Sequence, residues 1–178
     1  MTECQFSKKV SEFLAKKIKV KYPNIKIAER ANILNSLTIG RINKEWRVVF
    51  GSLEQDIVLY QDEINSVELK NKRILIPRGT KDKKIIIPIA VCELKIGKNI
   101  NTHQFITYGS IAKELKSVFP HCAYYFISSG RKQGFQHTTL LRHTKEFDRV
   151  FLNWEKDKQN LLNDLFLHLE YLKRLNIL

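Results

Sequence analysis

The chain has no Cys-x-x-Cys pair: its three cysteines, Cys4, Cys92 and Cys122, are an odd and scattered set. A structural zinc site is therefore not expected. Cys92 and Cys122 lie in apolar segments and read as small core residues. There is no glycine-rich phosphate loop, which argues against a nucleotide-driven motor. His103, His121, His137 and His143 lack ligand spacing, and His168 falls in a leucine-rich stretch where a structural role is expected. No uninterrupted apolar run is long enough to span a bilayer, and the opening residues lack the apolar region of a signal peptide. A soluble protein in a reducing, cytoplasmic setting, with no membrane partner, is the expectation. Repeats, low-complexity linkers, a helix-turn-helix and a zinc finger are all missing too, so nothing points to a dedicated binding module.

What is present is apolar and basic. Hydrophobic residues make up 43% of 178, enough for one domain over residues 1–178 with a real core. The formal charge of +13 and the pI of about 9.7 favour an acidic partner, most often nucleic acid. The basic residues are spread, with one group at Lys8, Lys9, Lys16, Lys17, Lys19 and Lys21 and another from Lys70 to Lys84. Some of these are simply solvated faces.

Periodicity predicts the elements. Phe6, Val10, Phe13, Leu14 and Ile18 give an amphipathic helix over 5–21, stopped by Pro23. A second, short helix is predicted over Ala28–Leu37. Trp46–Phe50 and Gln55–Tyr60 read as strands joined by a turn at Gly51-Ser52. Residues 61–84 form a polar excursion. The aliphatic strand 85–95 follows, with a bulge or bend at Pro88. A helix capped by Asn101 or Thr102 runs to about Val118, then a strand over 121–128, a loop over 130–145 and a helix over 155–175. The stripe Leu161, Leu162, Leu165, Leu169 and Leu172 packs either on the core or in a two-fold interface. The order implies an α/β fold, a mixed central sheet flanked by helices.

The chemistry concentrates at the end of the aliphatic strand. Side chains alternate along a strand, so Glu93 and Lys95 share a face. An acid and an amine closing a buried strand need metal, water, a partner or substrate to satisfy them. The triplet Glu-Leu-Lys occurs three times. Glu114-Leu115-Lys116 lies on a predicted helix, where residues two apart do not share a face. Glu68-Leu69-Lys70 lies in the polar excursion and remains a rival. The second acid is expected on a neighbouring strand, and Asp56 is the best candidate; Asp62 and Asp82 lie in polar turns.

Asp56 followed by Glu93-x-Lys95 resembles the PD-(D/E)xK nuclease superfamily, especially small type II restriction endonucleases, over roughly residues 45–128. Gln55 stands where the motif has proline. Gln104 and Tyr108 match the Gln-x-x-x-Tyr that some members carry on the following helix, and Glu12 or Glu29 are candidates for the extra helix acid of others. The resemblance implies a restriction-endonuclease-like core and magnesium-dependent hydrolysis of double-stranded DNA. Asp56, Glu93 and the Leu94 carbonyl would hold Mg2+, and Lys95 would orient or help deprotonate water. A repair or junction-cleaving nuclease, and a non-catalytic nucleic-acid-binding protein with a structural Glu93–Lys95 pair, are the alternatives. Arg73, Arg78, Lys81, Arg131, Lys132 and Gln133 are the candidate DNA contacts. Duplex cleavage calls for a homodimer or a partner nuclease or recognition subunit.

Overall fold

The first helix, α1 (Glu3–Lys21), begins at a capping box: the Thr2 hydroxyl accepts the Gln5 N–H, and the Gln5 side chain accepts the Thr2 N–H. Phe6, Val10, Leu14 and Ile18 are fully buried on one stripe, the periodicity read from the sequence. The structure, a computed structural model, describes residues 1–42, 44–65, 74–75, 84–97, 100–130 and 144–178.

The next segment corrects two expectations. Residues Lys26–Ile42 form strand β1, not a short helix, and Glu45–Asn65 form one continuous strand, β2, paired antiparallel with β1 from Lys26–Tyr60 to Ile42–Glu45. The apolar positions of 28–37 fit both periods, and pairing along a whole neighbouring strand decides for the extended form. Gly51-Ser52 is not a turn. It lies opposite the bulge between Leu34 and Ser36, and a Cβ on Gly51 would strike the Ser36 hydroxyl. Glycine is there for the close approach of β1 rather than for reversal.

Strand β3 (Ile74–Leu75) runs parallel to β2 at Val48 and Val49. Strand β4 (Lys84–Lys95) pairs antiparallel with β2 from Asn65–Lys84 to Ile57–Cys92, and its register shifts beside Pro88, as a residue without an N–H requires. Helix α2 (Thr102–Val118) starts at Asn101 through a second capping box with Gln104. Strands β5 (Ala123–Ser128) and β6 (Arg149–Phe151) continue the sheet, β4, β5 and β6 being parallel; β6 was not anticipated. Helix α3 (Trp154–Arg174) is capped by Asn153.

The result is an α/β fold whose mixed sheet has six strands among the described residues. Helices α1 and α3 cover one face. There Phe6, Leu14, Ile57, Leu59, Cys92, Leu94 and Trp154 meet the stripe Leu161, Leu162, Leu165, Leu169 and Leu172. That stripe is internal and is not a contact surface. Helix α2 covers the other face through Ala31, Ile33, Val58, Val91, Phe105, Ala112, Tyr124 and Phe126. Among the described residues no helix is long and apolar enough to cross a membrane.

Candidate active site

Alternation along β4 fixes the first two residues of the site. Ala90, Cys92 and Leu94 point into the α1/α3 layer and Val91 into the α2 layer. Glu93 and Lys95 follow Val91 to the α2 side. Lys95 Nζ lies 2.7 Å from Glu93 Oε1, 3.7 Å from Glu3 Oε1 and 4.0 Å from Asp56 Oδ2. It also stands over the Tyr108 ring of α2, 4.5 Å from the centroid. Side-chain exposure rises from 6% at Glu93 and 14% at Lys95 to 29% at Asp56 and 58% at Glu3, so the cluster opens to solvent on its Asp56–Glu3 side.

Asp56 reaches this cluster through an irregularity in the β1–β2 pair. Arg30 and Asp56 fall opposite each other, between the pairs Glu29–Ile57 and Ala31–Gln55. Arg30 has φ of +51°, a left-handed conformation that costs a non-glycine residue roughly 1–2 kcal/mol. Alternation changes phase there on both strands. Ala28 and Ala31 both border the α2 layer, and so do Val58 and, through Tyr124, Gln55. Pairing of β2 with β4 ends at Ile57–Cys92, and the next β4 amide, Leu94 N–H, donates instead to Asp56 Oδ2 at 2.8 Å. Past this point β1 follows α2, where Asn35 donates to Glu114, and pairs with β4 at Ile33–Ile86.

Gln55 is buried, and its side-chain carbonyl accepts the Tyr124 hydroxyl at 3.0 Å. Gln55 thus serves as an internal polar link between β2 and β5.

The electrostatics follow from burial and crowding. Burial, then the Asp56 charge, push the Glu93 carboxyl up to about 7 against the opposing pull of Lys95. Burial also raises Asp56, opposed by the Leu94 N–H and Lys95. Burial works against the Lys95 charge, but Glu93, Tyr108 and Asp56 outweigh it and hold the ammonium above the usual lysine range. Tyr108 is raised by burial.

The structure therefore brings together Asp56, Glu93, Lys95 and Tyr108. Gln104 is engaged elsewhere, its side-chain carbonyl accepting the Asn101 N–H in the α2 capping box. Glu12 is on the exposed face of α1, beside Lys8, and Glu29 accepts from Ser7. Glu3 was not foreseen. An acid in the first turn reads from sequence as a helix-dipole partner, and only the tertiary fold carries it to Lys95. Glu68, Arg73, Arg78, Lys81, Arg131, Lys132 and Gln133 lie outside the described residues.

No protein-family model matches the chain, and no curated protein matches it. Among solved structures, a chain of the native BbvCI A2B2 tetramer is similar at 12% identity with a TM-score of 0.48, over 82% of this chain and 58% of that one. The present chain thus spans less than two thirds of that chain's length.

Proposed function

We propose that this protein is a magnesium-dependent endonuclease of the PD-(D/E)xK type, acting on double-stranded DNA as a type II restriction endonuclease or its small catalytic subunit. One observation carries the reading: Glu93, Glu3 and Asp56 all lie within 4.0 Å of the Lys95 ammonium. Three acids around one amine make a local excess of negative charge in a chain of +13. Such an excess suits a bound cation, and the basic remainder suits a polyanion.

The donors fit Mg2+. They are oxygens, with no cysteine or histidine among them, and Mg2+ is usually held by one or two carboxylates together with water and substrate phosphate. Among the described residues no group of three His, Cys, Asp or Glu side chains is arranged to hold a metal ion by itself. Asp56 and Glu93 would be the side-chain ligands and the Leu94 carbonyl a third. When bound, Mg2+ supplies Lewis-acid polarisation of a phosphoryl oxygen and a water of lowered pKa.

The chain's own residues do the rest. The Leu94 N–H fixes one Asp56 oxygen and so orients the carboxylate. Glu93 is held by Lys95 at the bottom of the cluster. Lys95, beside Glu93 and Asp56, would place a donor or acceptor toward an attacking water and a charge toward the developing phosphoryl oxygens. Tyr108 stacks on the ammonium and limits where it points. One such site cuts one strand, so duplex cleavage needs a second site from a homodimer or a partner subunit.

The test is incubation of the purified protein with supercoiled plasmid and bacteriophage DNA, with Mg2+ and with chelator. Nicked or linear product only with Mg2+, and discrete bands from phage DNA, are expected for a restriction nuclease. Bound but uncut DNA under every metal condition overturns the reading in favour of a binding protein with a structural ion pair.

A further inference from the structure

Among the described residues three non-glycine residues have positive φ: Arg30, Lys44 and Asn176. Lys44 is at the tip of the β1–β2 hairpin and Asn176 just beyond α3, both ordinary places for it. Arg30 is inside a strand. Its backbone is where alternation changes phase on β1 and β2 together while their register is kept. It lies across from Asp56, and there β2 stops pairing with β4. Its side chain is exposed, so burial of the side chain does not explain the conformation. A strained residue persists where its surroundings over-determine it, and such residues gather at functional sites.

We propose that Arg30 is a positioning residue for Asp56: its left-handed backbone turns β2 away from β4 at the step where the Asp56 carboxylate replaces the ladder as acceptor for Leu94. A regular strand would carry the β2–β4 ladder two residue pairs further, and Gln55 would stand opposite Leu94. The Leu94 N–H would then meet a carbonyl, and the Asp56 carboxylate would lose the bond that orients it. With the bend, one residue conformation both steers β1 along α2 and aims the acid at Lys95. The inference deepens the proposed function, on which only its kinetic arm rests.

The test compares the full-length wild type with Arg30→Gly, which adopts φ > 0 freely, and Arg30→Val, whose β-branch resists it. Leu94 amide exchange is followed by NMR on 15N-labelled protein, and plasmid nicking is measured in Mg2+. Arg30→Gly is expected to keep Leu94 protection within about threefold of wild type, and Arg30→Val to lose on the order of tenfold or more while Val91 is unchanged. In the kinetic arm, Arg30→Val should lower kcat by about tenfold or more at unaltered KM, with Arg30→Gly near wild type. Loss of Leu94 protection in Arg30→Gly overturns the proposal, a result available even if Arg30→Val does not fold. Equal loss of kcat in both variants with Leu94 protected also overturns it, because the guanidinium would then be what matters. A wild type that protects Leu94 but cuts no DNA refutes the nuclease reading instead, and the exchange comparison still decides the role of Arg30.

Discussion

Lys95 Nζ and Glu93 Oε1 are 2.7 Å apart, and that ammonium is the cation around which the three acids of the cluster gather. It stands in direct competition with any metal ion for the same carboxylate oxygens. Lys95→Met should therefore do two opposite things. Cleavage should fall by about 10²-fold or more, because a preorganised charge is lost from the reacting centre. Binding of Mg2+ or Mn2+, measured by calorimetry, should become tighter. A variant that is inactive but binds metal more weakly than wild type would contradict this placement of Lys95.

Asp56→Asn separates charge from hydrogen bonding. The asparagine carbonyl still accepts the Leu94 N–H, so thermal stability should change by no more than about 1 kcal/mol. Loss of the ligand charge should reduce Mg2+-dependent cleavage by about 10²-fold or more. Glu3→Gln removes the most exposed of the three acids and should cost less. The comparison of single-turnover rates checks the ranking.

Glu93 makes metal-free stability depend on pH. Its carboxyl moves from 4.5 to about 7 on folding, so the folded chain binds a proton that the unfolded chain has released between those values. Stability should fall as pH rises through about 4.5 to 7 and level off above, with a contribution on the order of 3 kcal/mol. The shift of Asp56 has the same sign. Urea unfolding at pH 5 and pH 8 should show a smaller difference for Glu93→Gln than for wild type. Metal binding near neutral pH should release protons for the same reason.

Leu165 is fully buried between α3 and the sheet. Leu165→Ala should cost about 2–5 kcal/mol by urea unfolding, equally at any protein concentration. A concentration-dependent loss would mean that the residue supports an interface instead of the core.

The parts of this molecule that were legible in the sequence are those governed by local periodicity. Alternation put Glu93 and Lys95 on one face of β4, and helical spacing, with a capping residue for α2, gave α1, α2 and α3 nearly to their ends. What was not legible depends on neighbours. The 28–37 stretch fits two periods, and only β2 makes it a strand. Gly51 looked like a turn because the sequence does not show the Ser36 side chain beside it. Asp56 could be placed at a sheet edge, but the phase change at Arg30 that turns it toward Leu94 has no signature in residue type. Glu3 carries no signal beyond an ordinary helix start.

Helix α1 supplies Glu3, and it lies in the same layer as α3, with Phe6 and Phe13 edge-on to Trp154 at ring distances of 6.2 and 5.3 Å. Lys9 with Glu155, and Lys21 and Tyr22 with Glu170, tie the two helices at either end. Two helices far apart in the sequence thus hold each other in place. The packing of α3 on α1 therefore reaches the acid cluster through Glu3, whereas Asp56, Glu93 and Lys95 are carried by strands of the sheet.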